Sequence, residues 1–472
     1  MKKITNNVLR SFPRKTAGKI GRSVMLAFAL LVAMTLQAVS AQGQEMIRSI
    51  HGSATDFTLA RIVNPYQQWI VYNENAIMSL FGRMDTSGLV NTFVRTQLQI
   101  HVKDMEISGG SLYFCGNMFD NEVMSEVGVM GFFSISQLSS PSTMSINYIL
   151  FKEFKELRKL AFYATAQTKH VAMVGTGMDD RDYIVDAYYG GIDPDPSGFQ
   201  WERAWMYMPN IDARFDDIAC IKDSVVVSSR VENETEVQIC FIQKTGLEGC
   251  AFFSPASHLD VVKVPDQPIG RVLLQKAKGM DEAYAFYRYG PYLDVCQFIG
   301  KNNPISFHIP ILHVNGYFPE YFTLKDVCID KDRKDEISVL LTKVYSQSPY
   351  HRIYHIPTTL FPSISNVLGH EYGPYSSYTP MSLCGGKDYH TVSMGRFLED
   401  WGMARVVNSQ YEYCSEQLNT KTTMKKTAVP LSPKEYNVIA KETEVLHMAV
   451  SVQEYPVYYE CSDYARENNT NQ

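Results

Sequence analysis

The stretch Gly109–Phe133 reads GGSLYFCGNMFDNEVMSEVGVMGFF. Two apolar runs flank a polar segment, and the first run ends in Cys115-Gly116. This is the pattern of a β-hairpin, unless Cys115 is a reactive thiol on a glycine turn. A thiol nucleophile needs a nearby base and an electropositive setting. The neighbours of Cys115 are Tyr113, Phe114, Gly116 and Asn117, which supply neither, so the structural reading is preferred.

The same shape, an apolar run, a small or polar break and a second apolar run, recurs along the chain. It is seen in VAMVGTGMDDRDYIV, VVVSSRVENETEVQICF, AYAFYRYGPYLDVCQFI, SVLLTKVYSQSPYHRIYHI and HTVSMGRFLEDWGMARVV. Breaks set at Asn73, Gly116, Gly175, Ser229, Tyr289, Lys343 and Gly395 are spaced by 43, 59, 54, 60, 54 and 52 residues. An acidic-apolar lead-in precedes three of them: KDMEI from Lys103, DDIACI from Asp216 and KDVCI from Lys325. A period near fifty in an all-β chain predicts radial repetition, with each blade packing on its neighbours. Seven breaks predict a seven-bladed β-propeller over residues 46–413; six or eight blades are the adjacent counts, and tandem β-sandwiches are the alternative all-β architecture. Helical spacing appears in FKEFKELRKL (Phe151–Leu160) and in Ser432–Leu446, where Ser432 would cap and Pro433 would open a helix. A C-terminal tail, residues 414–472, is therefore expected to be partly helical with a disordered end.

The loose KDMxI…LYFCG repeats, behind a basic leader, resemble those of secreted β-propeller-like proteins of unassigned role from gut-type Bacteroidetes. The resemblance covers most of the chain and carries over no functional residues. The WD40, kelch and sialidase signatures are missing.

Residues 1–41 read as a secretory signal. Seven basic residues and no acid precede or enter VMLAFALLVAMTLQAV (Val24–Val39), and Val39-Ser40-Ala41 suits signal peptidase. The apolar run is shorter than the ~20 residues that span a bilayer. Cleavage would leave 37 basic against 50 acidic residues, a formal charge of −13. Such a charge disfavours nucleic acid and anionic lipid as partners. The expected destination is periplasm, cell surface or exterior, with no transmembrane segment after cleavage. Nine cysteines in an oxidising compartment leave at least one thiol over; Cys240 with Cys250, and Cys414 with Cys461, are the candidate disulfides.

Candidate sites follow from residue chemistry. DPDPSG places Asp193, Asp195 and Ser197 at alternating positions, as in the opening of a calcium loop, although its twelfth position is Ala204. Calcium is the one cofactor this suggests. Trp201, Trp205, Tyr375 and Tyr378 stand among Pro, Gly and Ser, where an aromatic face suits a sugar or peptide. His351 and His355 share a face but lack an evident third zinc ligand, and Asp179, Asp180 and Asp182 read as a solvated hairpin tip. No catalytic signature is found. The expected function is non-catalytic recognition of a protein or glycan through propeller loops; the alternative is a carbohydrate-active hydrolase or lyase with acidic residues at the central channel.

Overall fold

The structure is a computed structural model that describes the strands and several of their connections between residues 46 and 459. Residues 1–45 and 460–472 fall outside the described residues, as do inter-strand segments that include 191–200, 244–257, 312–321, 373–377 and 408–414. The described chain is nearly all β, built of antiparallel sheets, and its only helical pieces are 3-10 turns at Ile135–Ser139 and Thr358–Leu360.

A single strand, β1 (Met46–His51), precedes strands that follow one another in groups of four. The first group is β2 (Ala54–Asn64), β3 (Gln67–Glu74), β4 (Met78–Met84) and β5 (Thr92–Thr96). The second is β6 (Ile100–Ser108), β7 (Ser111–Asp120), β8 (Ser125–Ser134) and β9 (Ser145–Phe151). The third is β10 (Phe154–Ala164), β11 (Thr168–Gly177), β12 (Asp182–Gly190) and β13 (Trp201–Tyr207), and the fourth β14 (Ala213–Ile221), β15 (Ser224–Val231), β16 (Val237–Gln243) and β17 (His258–Val264). The fifth is β18 (Ile269–Lys276), β19 (Glu282–Tyr289), β20 (Tyr292–Ile299) and β21 (Asn302–Pro310), and the sixth β22 (Phe322–Ile329), β23 (Glu336–Lys343), β24 (His351–Pro357) and β25 (Asn366–Tyr372). The last group has only β26 (Tyr378–Gly385), β27 (Tyr389–Arg396) and β28 (Asp400–Val407), and β1 returns as its fourth strand, pairing antiparallel with β28. The seven breaks seen in the sequence fall one each in β3, β7, β11, β15, β19, β23 and β27.

The first strands of the groups touch in sequence, β2 on β6, then β10, β14, β18, β22 and β26, and β26 touches β2. Apolar clusters fill the spaces between successive sheets. Ala172, Ile184 and Val225 join the third group to the fourth, Val226, Phe241 and Phe298 the fourth to the fifth, and Phe286, Val295 and Val339 the fifth to the sixth. Strands buried on both faces explain why β7 and β19 read as continuous apolar runs rather than alternating ones.

Among its described residues the tail is strand, not helix. Its strands β29 (Ser415–Lys421), β30 (Thr423–Met424), β31 (Val429–Leu431), β32 (Asn437–Thr443), β33 (Leu446–Glu454) and β34 (Val457–Tyr459) pair in turn with β25, β21, β17, β13, β9 together with β5, and β1. It thus runs backward along the outer edges and merges the first two groups into one nine-stranded sheet, whose end strands β2 and β6 curl into contact. An open strand edge demands main-chain partners, and this overrides the helical preference of the tail sequence.

The expected helix at Phe151–Leu160 is instead the last residue of β9, a turn at Lys152–Glu153 and the first part of β10, and its helical spacing has a physical reason. β10 carries two register shifts, at Phe154/Glu156 and Leu157/Lys159. Each inserts one residue, so the buried positions Phe154, Leu157 and Leu160 come three apart. Two bulges in a strand imitate the period of a helix.

The break at Cys115-Gly116 does not end a strand. Gly116 lies within β7 opposite Val102, where β6 bulges, and a Cβ there would overlap the His101 carbonyl oxygen. Gly175 repeats this, with a Cβ falling 2.5 Å from the Glu156 carbonyl oxygen. Glycine is needed there for close approach of two backbones.

Candidate functional site: the central cavity

A cavity of about 260 Å³ sits inside the ring of first strands. Its polar lining includes Asp104, Glu106, Lys159, Asp217, Lys276 and Asp326, and Cys220, Cys328 and Cys384 border it. The bulges put the carboxylates there, because the register shifts fall at Val102/Asp104, Phe215/Asp217 and Leu324/Asp326. These are the acids of the lead-ins KDMEI, DDIACI and KDVCI.

Each buried carboxylate reaches to the next sheet. Asp104 Oδ2 accepts the Leu160 N–H at 3.0 Å, Asp217 Oδ2 that of Leu274 at 2.7 Å, and Asp326 Oδ2 that of Leu383 at 2.9 Å. Asp326 Oδ2 also accepts the Ser382 hydroxyl at 2.6 Å. The other oxygens of Asp217 and Asp326 accept the N–H of Ile218 and Val327, each at 2.9 Å. Glu106 Oε2 accepts the Phe162 N–H at 2.8 Å, and Lys159 Nζ stands 3.6 Å from Asp104 Oδ1. A neighbouring acid, Asp216, holds Arg230 through both oxygens at 2.5 and 2.6 Å and accepts the Val272 N–H at 3.0 Å. Burial pushes the Asp217 carboxyl up to about 6, against the lowering effect of Lys159 and its own hydrogen bonds.

The arrangement is chemically committed. Carboxylates already accepting main-chain N–H groups are poorly placed to trade protons with a substrate. The cavity is also smaller than the roughly 300–1,000 Å³ typical of small-molecule sites.

The residues singled out in the sequence fare differently. Trp201 and Trp205, expected to face a ligand, are 3% and 5% exposed and belong to the cluster between the second and third groups, with Phe154, Phe151 and Val185. The Phe154 ring meets Trp205 edge-on at 5.8 Å and Arg203 lies over the same indole, so both tryptophans are packing residues. Tyr378 opens β26, while Tyr375, Asp193, Asp195 and Ser197 lie outside the described residues. Cys240 is buried within β16 between Val227 and Val261; Cys250, Cys414 and Cys461 lie outside the described residues. Cys115 is buried and free, and burial pushes its thiol well up, with Asp104 adding to the effect.

The three-acid cluster divides. Asp180 sits at the hairpin tip with φ 65°, Asp179 accepts the Tyr183 hydroxyl at 2.8 Å, and Asp182 turns inward to Arg158 at 2.5 Å. His351 is fully buried against Tyr372, and its ring is pushed down to about 3 by burial. His355 meets Glu336 at 3.2 Å and the His370 ring at 5.4 Å, company that the spacing of the HRIYH segment does not reveal.

Compared with protein-family models and with curated proteins, the sequence matches none.

Proposed function

We propose that the chain is a secreted seven-bladed β-propeller that recognises a protein or glycan and does no chemistry in its channel. Three observations support the architecture: the groups of four strands, the contact of β26 with β2, and β1 completing the last group. Closure by strands from the two chain ends is the means by which a radial fold avoids open edges. Tandem sandwiches require neither the recurring first-strand contact nor its return to β2.

The observation that carries the functional reading is the use of the cavity acids. Asp104, Asp217 and Asp326 fasten one blade to the next and so serve the fold. A glycoside hydrolase needs two carboxyl groups flanking a bound sugar, one of them free to donate a proton. Recognition then falls to the exposed ends of the strands. The formal charge of the cleaved chain argues for a neutral or basic partner over nucleic acid. The test is a screen of the mature protein against glycan and protein arrays: saturable retention of a glycan or protein supports the reading, and retention of nucleic acid alone contradicts it.

A further inference from the structure

At the end of the β19–β20 hairpin an aromatic group stands on rigid strands. Tyr289 and Tyr292 are the last register pair of the hairpin, joined through Gly290 and Pro291. The next pair on the same face is Tyr287 with Asp294, and Asp294 in turn faces His308 of β21. The side chains use this register. Asp294 Oδ1 holds His308 Nδ1, the His308 ring lies 4.8 Å from Tyr292, and Tyr289 stacks over it at 6.3 Å and 22°. Exposure rises outward along the stack: Asp294 is fully buried, His308 half-buried, and Tyr289 is 40% exposed.

We infer that Tyr289, Tyr292 and His308 form a platform for one neutral pyranose unit. The inference rests on the recognition reading above and names its ligand class. A tyrosine ring offers an apolar face to the C–H side of a sugar and a hydroxyl at its edge. His308, with Nδ1 committed to Asp294, keeps Nε2 for hydrogen bonding to a ligand hydroxyl. Fixing an exposed ring on a strand end, behind a histidine whose own rotamer a buried carboxylate sets, is how a site is preorganised. A carboxylate buried at full depth is costly unless paired, and burial alone pushes Asp294 up to about 8. The rivals fit less well. An anion would meet an imidazole whose burial favours the uncharged ring, and a quaternary ammonium needs an open aromatic cage, whereas both tyrosine rings already lie against His308.

The test uses the mature full chain and saturation-transfer NMR with methyl α-mannopyranoside, methyl β-galactopyranoside and methyl β-N-acetylglucosaminide; glucuronate and choline serve as charged controls. Transfer to the ring C–H protons of at least one neutral glycoside is expected, weakened on the order of tenfold in Tyr289→Ala and Tyr292→Ala. Tyr289→Ala removes an exposed ring, so an unchanged melting temperature shows the variant to be folded. No transfer from any of the three, or transfer from the charged controls alone, overturns the platform. Transfer that persists in both variants also overturns it while leaving glycan recognition standing elsewhere on the molecule. Cleavage of any glycoside contradicts the recognition reading itself.

Discussion

Asp326 in β22 accepts the main-chain N–H of Leu383 in β26, 57 residues further along the chain, at 2.9 Å. Asp217 stands to Leu274, and Asp104 to Leu160, in the same relation. One carboxylate at one bulge therefore fastens the second group to the third, the fourth to the fifth and the sixth to the seventh. The positions matching these acids in β10 and β26 are Lys159 and Ser382, each on the far side of such a bond.

Truncating the clamp should cost stability. Asp326→Ala leaves the Leu383 N–H and the Ser382 hydroxyl buried without their acceptor, a loss of about 2–4 kcal/mol. Asp326→Asn retains one acceptor oxygen and should lose about half as much. Urea unfolding of the two variants checks the order; equal midpoints for wild type and Asp326→Ala would remove the clamp.

Gly116→Ala should be among the most damaging single methyl additions in the chain, because the added Cβ overlaps the His101 carbonyl oxygen. Backbone cannot yield as a side chain can, so a loss above ~3 kcal/mol or failure to accumulate as soluble protein is expected. Cys115→Ala, next to it, should cost about 1–2 kcal/mol and leave binding unchanged. In the wild type, Cys115 should resist a thiol reagent until denaturant is added, since burial raises its pKa. Rapid labelling of Cys115 in the folded protein would return it to the list of reactive sites.

Asp217 sets a pH dependence of known sign. Its pKa rises from 3.8 unfolded to about 6 folded, so between these values the folded protein holds more protons. The stabilisation from its proton is complete below the unfolded value and is lost as pH rises through about 6. Asp217→Asn lacks this titration and should gain on wild type between pH 4 and 6.5. Urea midpoints of both proteins across that range measure the difference; a constant difference, or one of opposite slope, would refute the assignment.

The tail should act as a strap. Ending the chain before Ser415 removes β29–β34 and opens an outer edge on every sheet. Open edges invite pairing between molecules, so the shortened chain should melt lower and associate with a concentration dependence that the full chain lacks. Light scattering during a thermal ramp distinguishes this from a tail that is merely attached.

Much of the fold was legible because the repeat is written in strands. Every break from Asn73 to Gly395 marks a second strand, and the lead-in acids mark the bulges of first strands. The errors have local causes. The two bulges of β10 gave Phe154, Leu157 and Leu160 the spacing of a helix face. The tail strand β32 is dictated by the distant edge of β13, and nothing within Asn437–Thr443 announces that partner. Trp201 and Trp205 looked exposed because a Pro/Gly/Ser segment precedes them, yet they begin a strand rather than extend the loop. Asp294 and His308 carried no signal, since they meet only through the β20–β21 register.

The most direct measurement is turnover beside binding. Mature wild type and Asp217→Asn are incubated with a panel of polysaccharides, and bound polymer and new reducing ends are both followed over time. Binding without new reducing ends, the same in both proteins, is the expected result. Reducing ends that accumulate with wild type and vanish with Asp217→Asn would place a catalytic acid in the central cavity and contradict the recognition reading.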